Sequence, residues 1–209
     1  MSQPGWKCEL MSDNKLKFTV CIDDISMSFA TSPALFSPKG ADKGTLAMLV
    51  EAKPYLVPEA RVMDMGCAWG LVGVYASRLC GGENVTMSDI SAEAVALSRE
   101  NLADNGISPL PQVIESDCFK FIDAAGFDVI LINPPYHTDF SVPKEMIEKG
   151  FNRLKIGGRL FMVTKRLDWY KNKLTTIFGG VKISETEGYY IFNAQRRQAA
   201  RGGGKSRNR

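Results

Sequence analysis

The chain has little of what metal sites, disulfide frameworks and membrane spans require. It contains 1 histidine, His137, in 209 residues, so a histidine-rich metal site is excluded. The 5 cysteines form no CxxC pair and their number is odd, which argues against a zinc module or a disulfide scaffold. No apolar run approaches the roughly 18 residues of a membrane span, and the first ten residues lack the apolar core of a signal peptide. We therefore expect a cytoplasmic protein without a metal, and a monomer by default.

The composition that remains is that of an ordinary globular domain, with 44% hydrophobic and 23% charged residues. The net charge of +3 conceals an asymmetry, because residues 196–209 hold six basic residues and no acidic one, while the rest of the chain is net acidic. A flexible basic tail, here with three consecutive glycines, suits a polyanion such as RNA. Improved solubility is the alternative interpretation of the tail.

Apolar and turn-forming residues alternate in a way that predicts an α/β fold. Residues 15–32 read as a β-hairpin and residues 45–57 as a helix. From residue 60 strands and helices alternate, which predicts a doubly wound, mostly parallel, seven-stranded sheet whose closing hairpin adds one antiparallel strand. The predicted strands are 61–65, 85–89, 111–115, 127–133, 159–165, 181–187 and 189–195; the predicted helices after residue 60 are 70–80, 91–105, 143–154 and 168–178.

The domain organisation expected from this pattern has three parts. Residues 1–34 form an N-terminal extension, residues 35–195 the α/β domain and residues 196–209 the tail. The helix over 91–105 begins at Ser91, a good N-cap, and ends at Gly106. Its spacing predicts one buried face, made of Ala92, Val95, Ala96, Leu102 and Ala103.

Ligands of open α/β sheets bind at the carboxyl ends of the strands, so the segments after each strand are the candidate site. Asp64 and a glycine-broken turn, Gly66 to Gly70, follow the first parallel strand, where glycine lets the backbone approach a ligand closely. Asp89 ends the next strand, about twenty residues after the glycine-broken turn. An acid at this position can accept hydrogen bonds from both hydroxyls of a ribose. Asp117 follows the third strand and is suited to accept a hydrogen bond from an adenine amine. A tight turn or a helix cap would explain each of these residues singly.

The fourth strand ends in Asn133-Pro134-Pro135-Tyr136, which is the most specific signal in the chain. Two prolines fix φ and remove two N–H donors, so the Asn133 side-chain oxygen and the Pro134 carbonyl remain as acceptors. Both can accept hydrogen bonds from a planar NH₂ group, which draws the nitrogen lone pair out of conjugation and frees it to attack a methyl group. Tyr136 adds an aromatic face on which a base can stack.

These segments together resemble the class I S-adenosylmethionine-dependent methyltransferases, and within them the small methyltransferase domain family, which includes 16S rRNA guanine-N2 methyltransferases. The resemblance runs from about residue 35 to 195. It rests on the motifs FSPKGADKGT, VMDMGCAWG, TMSDIS and NPPYH and on the closing strands LFMVTK and GYYIF.

The resemblance implies S-adenosylmethionine as the cofactor, S-adenosylhomocysteine as the product and RNA, either ribosomal RNA or a ribosomal subunit, as the partner. It implies a site for the target amine made of Asn133, Pro134, Pro135 and Tyr136. It implies a cofactor site made of Asp64, Gly66, Cys67, Ala68, Gly70, Asp89, Ile90, Asp117, Cys118 and Asn133.

Ala68 departs from the family pattern, which usually has glycine at this position, so we expect altered cofactor affinity there. His137 follows the motif directly, and a positioning or structural role is favoured over a catalytic base. Lys165 and Arg166 follow the fifth strand, where substrate phosphates or solvent would face them. Asp42-Lys43-Gly44, in the FSPKGADKGT segment, is expected to close over the cofactor.

Three functions remain open. The leading one is methylation of an exocyclic amine in RNA, most favourably guanine N2 of 16S rRNA. Adenine-N6 or protein glutamine-N5 methylation would use the same NPPY run on another acceptor. A non-catalytic RNA-binding protein with a vestigial methyltransferase fold is the alternative from another class.

Overall fold

The computed structural model describes residues 8–10, 16–135 and 139–197, the first three by their backbone alone. Tyr136, His137 and the basic tail beyond residue 197 lie outside the described residues. The strands are β1 (Cys8–Leu10), β2 (Leu16–Ile22), β3 (Ile25–Thr31), β4 (Val62–Met65), β5 (Val85–Asp89), β6 (Gln112–Glu115), β7 (Phe127–Ile132), β8 (Leu154–Thr164), β9 (Lys182–Thr186) and β10 (Tyr189–Gln195). The α-helices are α1 (Lys43–Ala52), α2 (Leu71–Cys80), α3 (Ala92–Asp104), α4 (Ser141–Arg153) and α5 (Asp168–Phe178).

Seven strands form the central sheet, in the order β6-β5-β4-β7-β8-β10-β9. The pairs among β4, β5, β6, β7 and β8 are parallel, whereas β10 is antiparallel to both of its neighbours. This confirms the predicted mostly parallel sheet with a closing antiparallel strand. The parallel strands all end at one edge, so the segments that follow them meet there.

Helices cover both faces of this sheet. They are needed on both because successive residues of each strand face opposite sides and both sets are apolar. In β7, Val129 and Leu131 belong to one hydrophobic cluster, and Ile130 and Ile132 belong to a second. The first cluster takes its helical members from α1, α2 and α3, and the second takes them from α4 and α5. Near-continuous apolar strands are therefore buried on both sides, as expected for a doubly wound sheet.

The N-terminal strands form a separate antiparallel sheet, ordered β1-β2-β3, in which β1 is a strand that the sequence did not predict. This sheet packs on the first cluster through aromatic side chains. The ring centroids of Phe18 and Phe29 lie 5.1 and 4.9 Å from that of Trp69, both in edge-on geometry. The hairpin thus rests against the glycine-broken turn that follows β4.

The predicted buried face of α3 is confirmed at Val95 and Leu102 and wrong at its three alanines. Ala92, Ala96 and Ala103 are exposed, whereas the polar residues Ser98 and Asn101 are fully buried. Hydrophobic spacing misled the prediction because this face is held by side-chain hydrogen bonds as well as apolar contacts.

The buried amide of Asn101 joins α3 to the hairpin. It accepts a hydrogen bond from the Ala30 N–H at 2.8 Å and donates to the carbonyls of Ala30 at 2.8 Å and Trp69 at 2.7 Å. One turn later, Asn105 makes the same pair of bonds with the backbone of Ser28. The two amides thus satisfy the backbone of β3 as a neighbouring strand would.

Strand β8 begins at Leu154, five residues before the predicted start at residue 159. The additional segment contains Gly157 and Gly158, which exchange backbone hydrogen bonds of 2.7 and 2.9 Å with Arg196. A β-carbon on Gly158 would lie 2.7 Å from the carbonyl oxygen of Phe127, so the glycine permits this close approach. The sequence analysis left these two glycines between a helix and a strand, and hydrogen bonding to a distant segment makes them part of the strand.

Candidate functional site

A cavity of about 300 Å³ opens at the carboxyl ends of the parallel strands, within the size range typical of small-molecule sites. The predicted site residues that line it are Asp64, Gly66, Cys67, Ala68, Asp89, Ile90, Asp117, Cys118, Asn133, Pro134 and Pro135. Gly70 lies beside the cavity as the N-cap of α2, and Tyr136 is outside the described residues. The sheet therefore brings the motifs of four strands to one cavity.

The turn between β4 and α2 depends on left-handed backbone at three positions. Gly66, Ala68 and Gly70 have φ values of +80°, +48° and +95°. At Gly70 a β-carbon would also lie 3.2 Å from Ser98 Oγ, so glycine is required there by conformation and by space. The turn is held from β5, since the N–H groups of Gly66 and Cys67 donate to the Ser88 carbonyl at 2.8 and 2.9 Å.

Ala68 adopts the left-handed conformation despite its β-carbon, which costs about 1 kcal/mol relative to glycine. Two hydrogen bonds stabilise it there. Its N–H donates to Asp89 Oδ2 at 2.9 Å, and its carbonyl accepts from Ser98 Oγ at 3.0 Å. The structure thus accommodates the departure from glycine without altering the course of the turn.

Asp89 is positioned by backbone donors on both sides. Its Oδ2 accepts from Ala68 N–H, and its Oδ1 accepts from Ser91 N–H at 2.9 Å. Each carboxylate oxygen has further lone-pair capacity. Because Asp89 lines the cavity, its two oxygens can still accept hydrogen bonds from a pair of hydroxyls.

Asp64 is a buried carboxyl with an unused oxygen. It is 3% exposed, and its Oδ2 has no hydrogen-bond partner among the described residues. Burial, reinforced by the nearby Asp89 carboxylate, raises the pKa of Asp64 to about 8, although a hydrogen bond from the Gly73 backbone opposes the shift. A cationic or N–H-bearing group in the cavity would satisfy this oxygen and reverse the pKa shift.

Asp117 and Cys118 form a tight turn after β6. Asp117 is exposed at the cavity rim, and Cys118 is buried with φ of +47°. The Ser116 hydroxyl donates to the Cys118 carbonyl at 2.9 Å and accepts from the Phe121 N–H at 3.0 Å. Burial raises the pKa of the Cys118 thiol to about 11 and that of Cys67 well above its usual value. Both cysteines therefore stay protonated and line the cavity as small apolar groups.

Asn133, at the end of β7, has a fixed amide. Its Nδ2 donates to Thr45 Oγ1 at 2.9 Å and to Asp42 Oδ2 at 3.2 Å. Its Oδ1 is buried and has no hydrogen-bond partner among the described residues. Asn133 lines the cavity with Pro134 and Pro135, so an N–H donor bound there could satisfy this oxygen.

The contacts among Asp42, Thr45, Tyr189 and Asn133 were not predicted from the sequence. Asp42 lines the cavity, caps α1 through a 2.8 Å hydrogen bond from the Thr45 N–H and accepts a hydrogen bond from Asn133 Nδ2. Its expected part in closing the cofactor site stays a prediction. Tyr189, in β10, donates its hydroxyl to Asp42 Oδ1 at 2.8 Å. Asp42 and Thr45 belong to the FSPKGADKGT motif and Tyr189 to the closing GYYIF strand, but the motifs did not indicate that these three side chains would meet.

Other groups near the rim have ordinary partners. Lys165 Nζ lies 4.7 Å from the ring centroid of Tyr189, and the Arg166 guanidinium lies 5.3 Å from that of Phe140. Within the described ranges, no cluster of three or more histidine, cysteine or acidic side chains could hold a metal ion. In the same ranges, no helix is long and apolar enough to cross a membrane.

Comparison with known proteins identifies the family. Residues 26–193 match the methyltransferase small domain. The chain belongs to this family. The match spans most of the chain and confirms the resemblance drawn from the sequence motifs.

Relatives of this family member include ribosomal RNA small subunit methyltransferase C of Pseudomonas entomophila (strain L48). It is 34% identical over 187 residues, covering 86% of this chain and 54% of that protein. The enzyme of the same name from Cronobacter sakazakii is 31% identical, covering 83% of this chain and 50% of that protein. The chain thus spans about half the length of these relatives. The uncharacterized protein YbxB of Bacillus subtilis (strain 168) is 28% identical over 89% of this chain and matches 94% of its own length.

Among solved structures, the Thermus thermophilus 16S rRNA N2 G1207 methyltransferase, in complex with AdoMet and guanosine, superposes with a TM-score of 0.79. It is 23% identical and covers 92% of this chain and 51% of that one. A ribosomal protein L11 methylase from Lactobacillus delbrueckii subsp. bulgaricus superposes with a TM-score of 0.67 at 19% identity, covering 80% and 84%. These likenesses show that the family member has the Rossmann-like methyltransferase fold.

Proposed function

We propose that this protein transfers a methyl group from S-adenosylmethionine to an exocyclic amino group in RNA, with guanine N2 of 16S rRNA as the leading acceptor. The observation that carries the proposal is the fixed amide of Asn133. Its NH₂ is bonded to Asp42 and Thr45, and its buried Oδ1 is left without a partner among the described residues. A buried acceptor without a partner is costly, and an amine in the cavity would satisfy it.

The residues of the cavity fit the cofactor. S-adenosylmethionine supplies a methyl group on a positively charged sulfur, together with a cationic amino group, a ribose and an adenine. Asp64, with its unpartnered oxygen and raised pKa, suits the cationic end. Asp89 keeps acceptor capacity for ribose hydroxyls, and Ile90, 69% exposed beside it, offers an apolar surface for the adenine. Asp117 and Cys118 would flank the adenine edge, and Gly66, Cys67, Ala68 and Gly70 would form the turn beneath the methionine end.

Catalysis in this proposal is chiefly positioning. Asn133 Oδ1 and the Pro134 carbonyl accept the two hydrogens of the amine, which turns its nitrogen lone pair toward the methyl group. Pro135, which lines the cavity, would form part of the wall on which the base rests. Tyr136 follows it in the motif and supplies an aromatic ring on which a base can stack. Bound S-adenosylmethionine would supply the methyl group. As the new nitrogen–carbon bond formed, the electron pair of the broken carbon–sulfur bond would stay on sulfur, and the surplus proton of the nitrogen would pass to solvent. The proposed steps need no metal and no strong base.

RNA as the acceptor is supported by the relatives named for ribosomal RNA methylation and by the basic residues at the end of the chain. The proposal extends to this chain an activity named for proteins about twice its length. Within these 209 residues, the cavity rim and the basic tail are the candidates for contacts with RNA. The base must be unpaired or flipped out to reach a buried acceptor such as Asn133 Oδ1.

The test is to incubate the full chain with methyl-labelled S-adenosylmethionine and total RNA from cells that lack the protein. Digestion to nucleosides and mass spectrometry then identify the labelled product. We expect label in N2-methylguanosine, lost in Asn133→Ala and retained in Asn172→Ala, a matched substitution at an exposed position of α5. The same reaction is run with purified small ribosomal subunits from those cells.

Each outcome is informative. Label in N6-methyladenosine would retain the amine chemistry and replace the acceptor. Label in ribosomal protein instead of RNA would overturn the RNA proposal in favour of glutamine methylation. No label in either RNA or subunits, with no cofactor binding at millimolar concentration, would support a non-catalytic RNA-binding protein.

A further inference from the structure

We propose that Asp42, held by Tyr189, is a positioning residue that fixes which way the Asn133 amide faces and so restricts the acceptor to groups that carry an N–H or O–H. The inference rests on the proposed function for its catalytic consequence, although the arrangement itself can be measured without activity. It assigns a task to two residues that lie in segments far from the NPPY run, at the start of α1 and in β10.

The direction of the hydrogen bonds follows from the chemistry of Asp42. An ionised carboxylate is an acceptor only, so the group of Asn133 that faces Asp42 Oδ2 at 3.2 Å must be its NH₂. The Thr45 hydroxyl donates its single hydrogen to the same Oδ2 at 3.2 Å. Its lone pair is therefore what faces Asn133 Nδ2 at 2.9 Å. One carboxylate thus sets the orientation of both neighbours, and Asn133 Oδ1 is left without a hydrogen-bond partner among the described residues.

Tyr189 fixes the carboxylate itself. Its hydroxyl donates to Asp42 Oδ1 at 2.8 Å, while Oδ2 serves the Thr45 N–H, the Thr45 hydroxyl and Asn133. Burial, together with the hydrogen bond to Asp42, raises the pKa of Tyr189 to about 12, so the phenol stays protonated and remains a donor at neutral pH. Both carboxylate oxygens are therefore engaged, and rotation of Asp42 would break bonds on each side.

Gly44 allows the Tyr189 ring to come this close. A β-carbon at Gly44 would lie 2.3 Å from Tyr189 Cδ1 and 2.6 Å from Cε1, distances at which one group must move. Glycine in the first turn of a helix is unfavourable by propensity, and here it leaves room for an aromatic ring from β10. The Lys43–Glu187 ion pair joins the same two segments, so α1 and the β9–β10 turn are connected around the Asp42–Tyr189 contact.

The consequence is a specificity. A site that presents only the oxygen of Asn133 favours a methyl-accepting group that has a hydrogen to donate. A group without such a hydrogen would leave the buried oxygen lone pair without a donor. A ring nitrogen that carries no hydrogen would meet acceptor against acceptor at this position. If the amide were free to turn, its NH₂ would face the cavity and donate to the target nitrogen, occupying the lone pair that must attack.

The first test compares Asp42→Ala with Asp42→Asn. Alanine removes the carboxylate, so the Thr45 hydroxyl can donate as well as accept and the Asn133 amide can turn. Asparagine keeps an oxygen for the helix cap, for Thr45 and for Asn133, and its NH₂ faces a Tyr189 hydroxyl that can accept. We expect kcat to fall about 100-fold in Asp42→Ala, recovery to within about tenfold of wild type in Asp42→Asn, and an unchanged KM for the cofactor in both.

The second test compares Tyr189→Phe with Tyr190→Phe, its matched control on the opposite face of β10. Loss of one hydrogen bond to Asp42 predicts a decrease in kcat of about tenfold for Tyr189→Phe and none for Tyr190→Phe. Because Tyr189 acts through Asp42, the Asp42→Ala/Tyr189→Phe double variant should be no slower than Asp42→Ala alone. Thermal melting of each variant establishes that it is folded.

The third test needs no activity. In ¹⁵N-labelled protein the side-chain amide of Asn133 is identified by its absence in Asn133→Ala, and its exchange with water is measured in each variant. We expect slow exchange in wild type and Asp42→Asn, exchange at least about tenfold faster in Asp42→Ala, and an intermediate rate in Tyr189→Phe. An Asn133 amide that exchanges equally in wild type and Asp42→Ala would overturn the inference, whatever the kinetics. Slow, Asp42-dependent exchange in a protein that transfers no methyl group would support the inference and refute the proposed function.

Discussion

The two halves of the cavity are built in different ways. In the cofactor half, the contacts join segments that are near in sequence, as Ala68 to Asp89, 21 residues apart, and Ser98 to Ala68, 30 residues apart. In the acceptor half, Asn133 contacts Thr45 across 88 residues, and Asp42 contacts Tyr189 across 147. Apart from Asp117 and Cys118, which follow β6, the first half is a property of the one segment β4-α2-β5-α3, whereas the second exists only when α1, β7 and β10 are assembled.

We therefore expect substitutions in the two halves to affect different properties of the protein. Substitutions in the glycine-broken turn act on local backbone conformation, and thus on stability and cofactor affinity. Substitutions around Asn133 act on the direction of a hydrogen bond, and thus on methyl transfer. Four variants test whether the two halves are separable, and their expected effects decrease in the order given.

Asn133→Ala removes the acceptor oxygen and should lower kcat by about 10²–10³-fold, the effect of losing one oriented hydrogen-bonding group in an active site. Cofactor affinity should change less than about tenfold, because the cofactor half keeps its turn and its two aspartates. Single-turnover transfer assays and equilibrium cofactor binding measure the two quantities. A loss of affinity as large as the loss of kcat would show that the halves are not separable.

Asp64→Asn should weaken cofactor binding by about tenfold, the worth of one pKa unit of interaction. It should also change the proton balance of binding. With a pKa of about 8, Asp64 is mostly protonated at pH 7 in the free protein, and a cationic group against it lowers that pKa. Binding at pH 7 should therefore release close to one proton in wild type and none in Asp64→Asn. Calorimetry in two buffers of different ionisation enthalpy measures the release, and equal release by both proteins would contradict the assignment.

The same residue makes a prediction about stability and pH. The pKa of Asp64 is raised in the folded protein above its ordinary value of 3.8, so the folded state binds more protons between pH about 4 and 8. Its contribution to the free energy of unfolding is fully present at low pH and is lost as pH rises through about 8. Asp64→Asn should lack this decline in thermal melts of the ligand-free protein.

Gly70→Ala should lower the free energy of unfolding by about 1–2 kcal/mol, since φ is +95° and the new methyl would lie 3.2 Å from Ser98 Oγ. The melting temperature should fall by about 2–8 °C. In the assay, cofactor affinity should fall while kcat at saturating cofactor stays near wild type. Gly180→Ala, where a β-carbon would meet nothing within 4 Å, is the matched control.

Ala68→Gly has the smallest expected effect. It relieves left-handed backbone at φ of +48°, worth about 1 kcal/mol, and is opposed by the greater entropy of glycine in the unfolded chain, about 0.5–1 kcal/mol. The net increase in the free energy of unfolding should stay below about 1 kcal/mol. Chemical denaturation measures it, and clear destabilisation would show that the Ala68 methyl group makes a packing contribution larger than its strain.

Much of the fold could be predicted because each element carried its own signal. The strands 85–89 and the helix 168–178 have the predicted bounds, and Ser91 caps α3 through a hydrogen bond from the Ala94 N–H at 3.3 Å. The candidate residues that line the cavity were found because each lies at or shortly after the carboxyl end of a parallel strand. The prediction was wrong where residues distant in the chain determine what is buried. An example is the polar face of α3, whose Asn101 is buried against β3.

The alternation of strands and helices and the glycine-broken turn follow from the sequence, because they depend on local backbone preference and hydrophobic periodicity. The positions of the acids and of the NPPY run at the strand ends follow from that alternation. The assembled fold alone brings Asp42 to Asn133 and Tyr189 to Asp42 over Gly44. It also buries one oxygen of Asp64 that has no hydrogen-bond partner within the part of the chain that the structure describes. The physical reason is that hydrogen-bond direction and desolvation depend on which groups meet in space. Neither can be read from the order of residues along the chain.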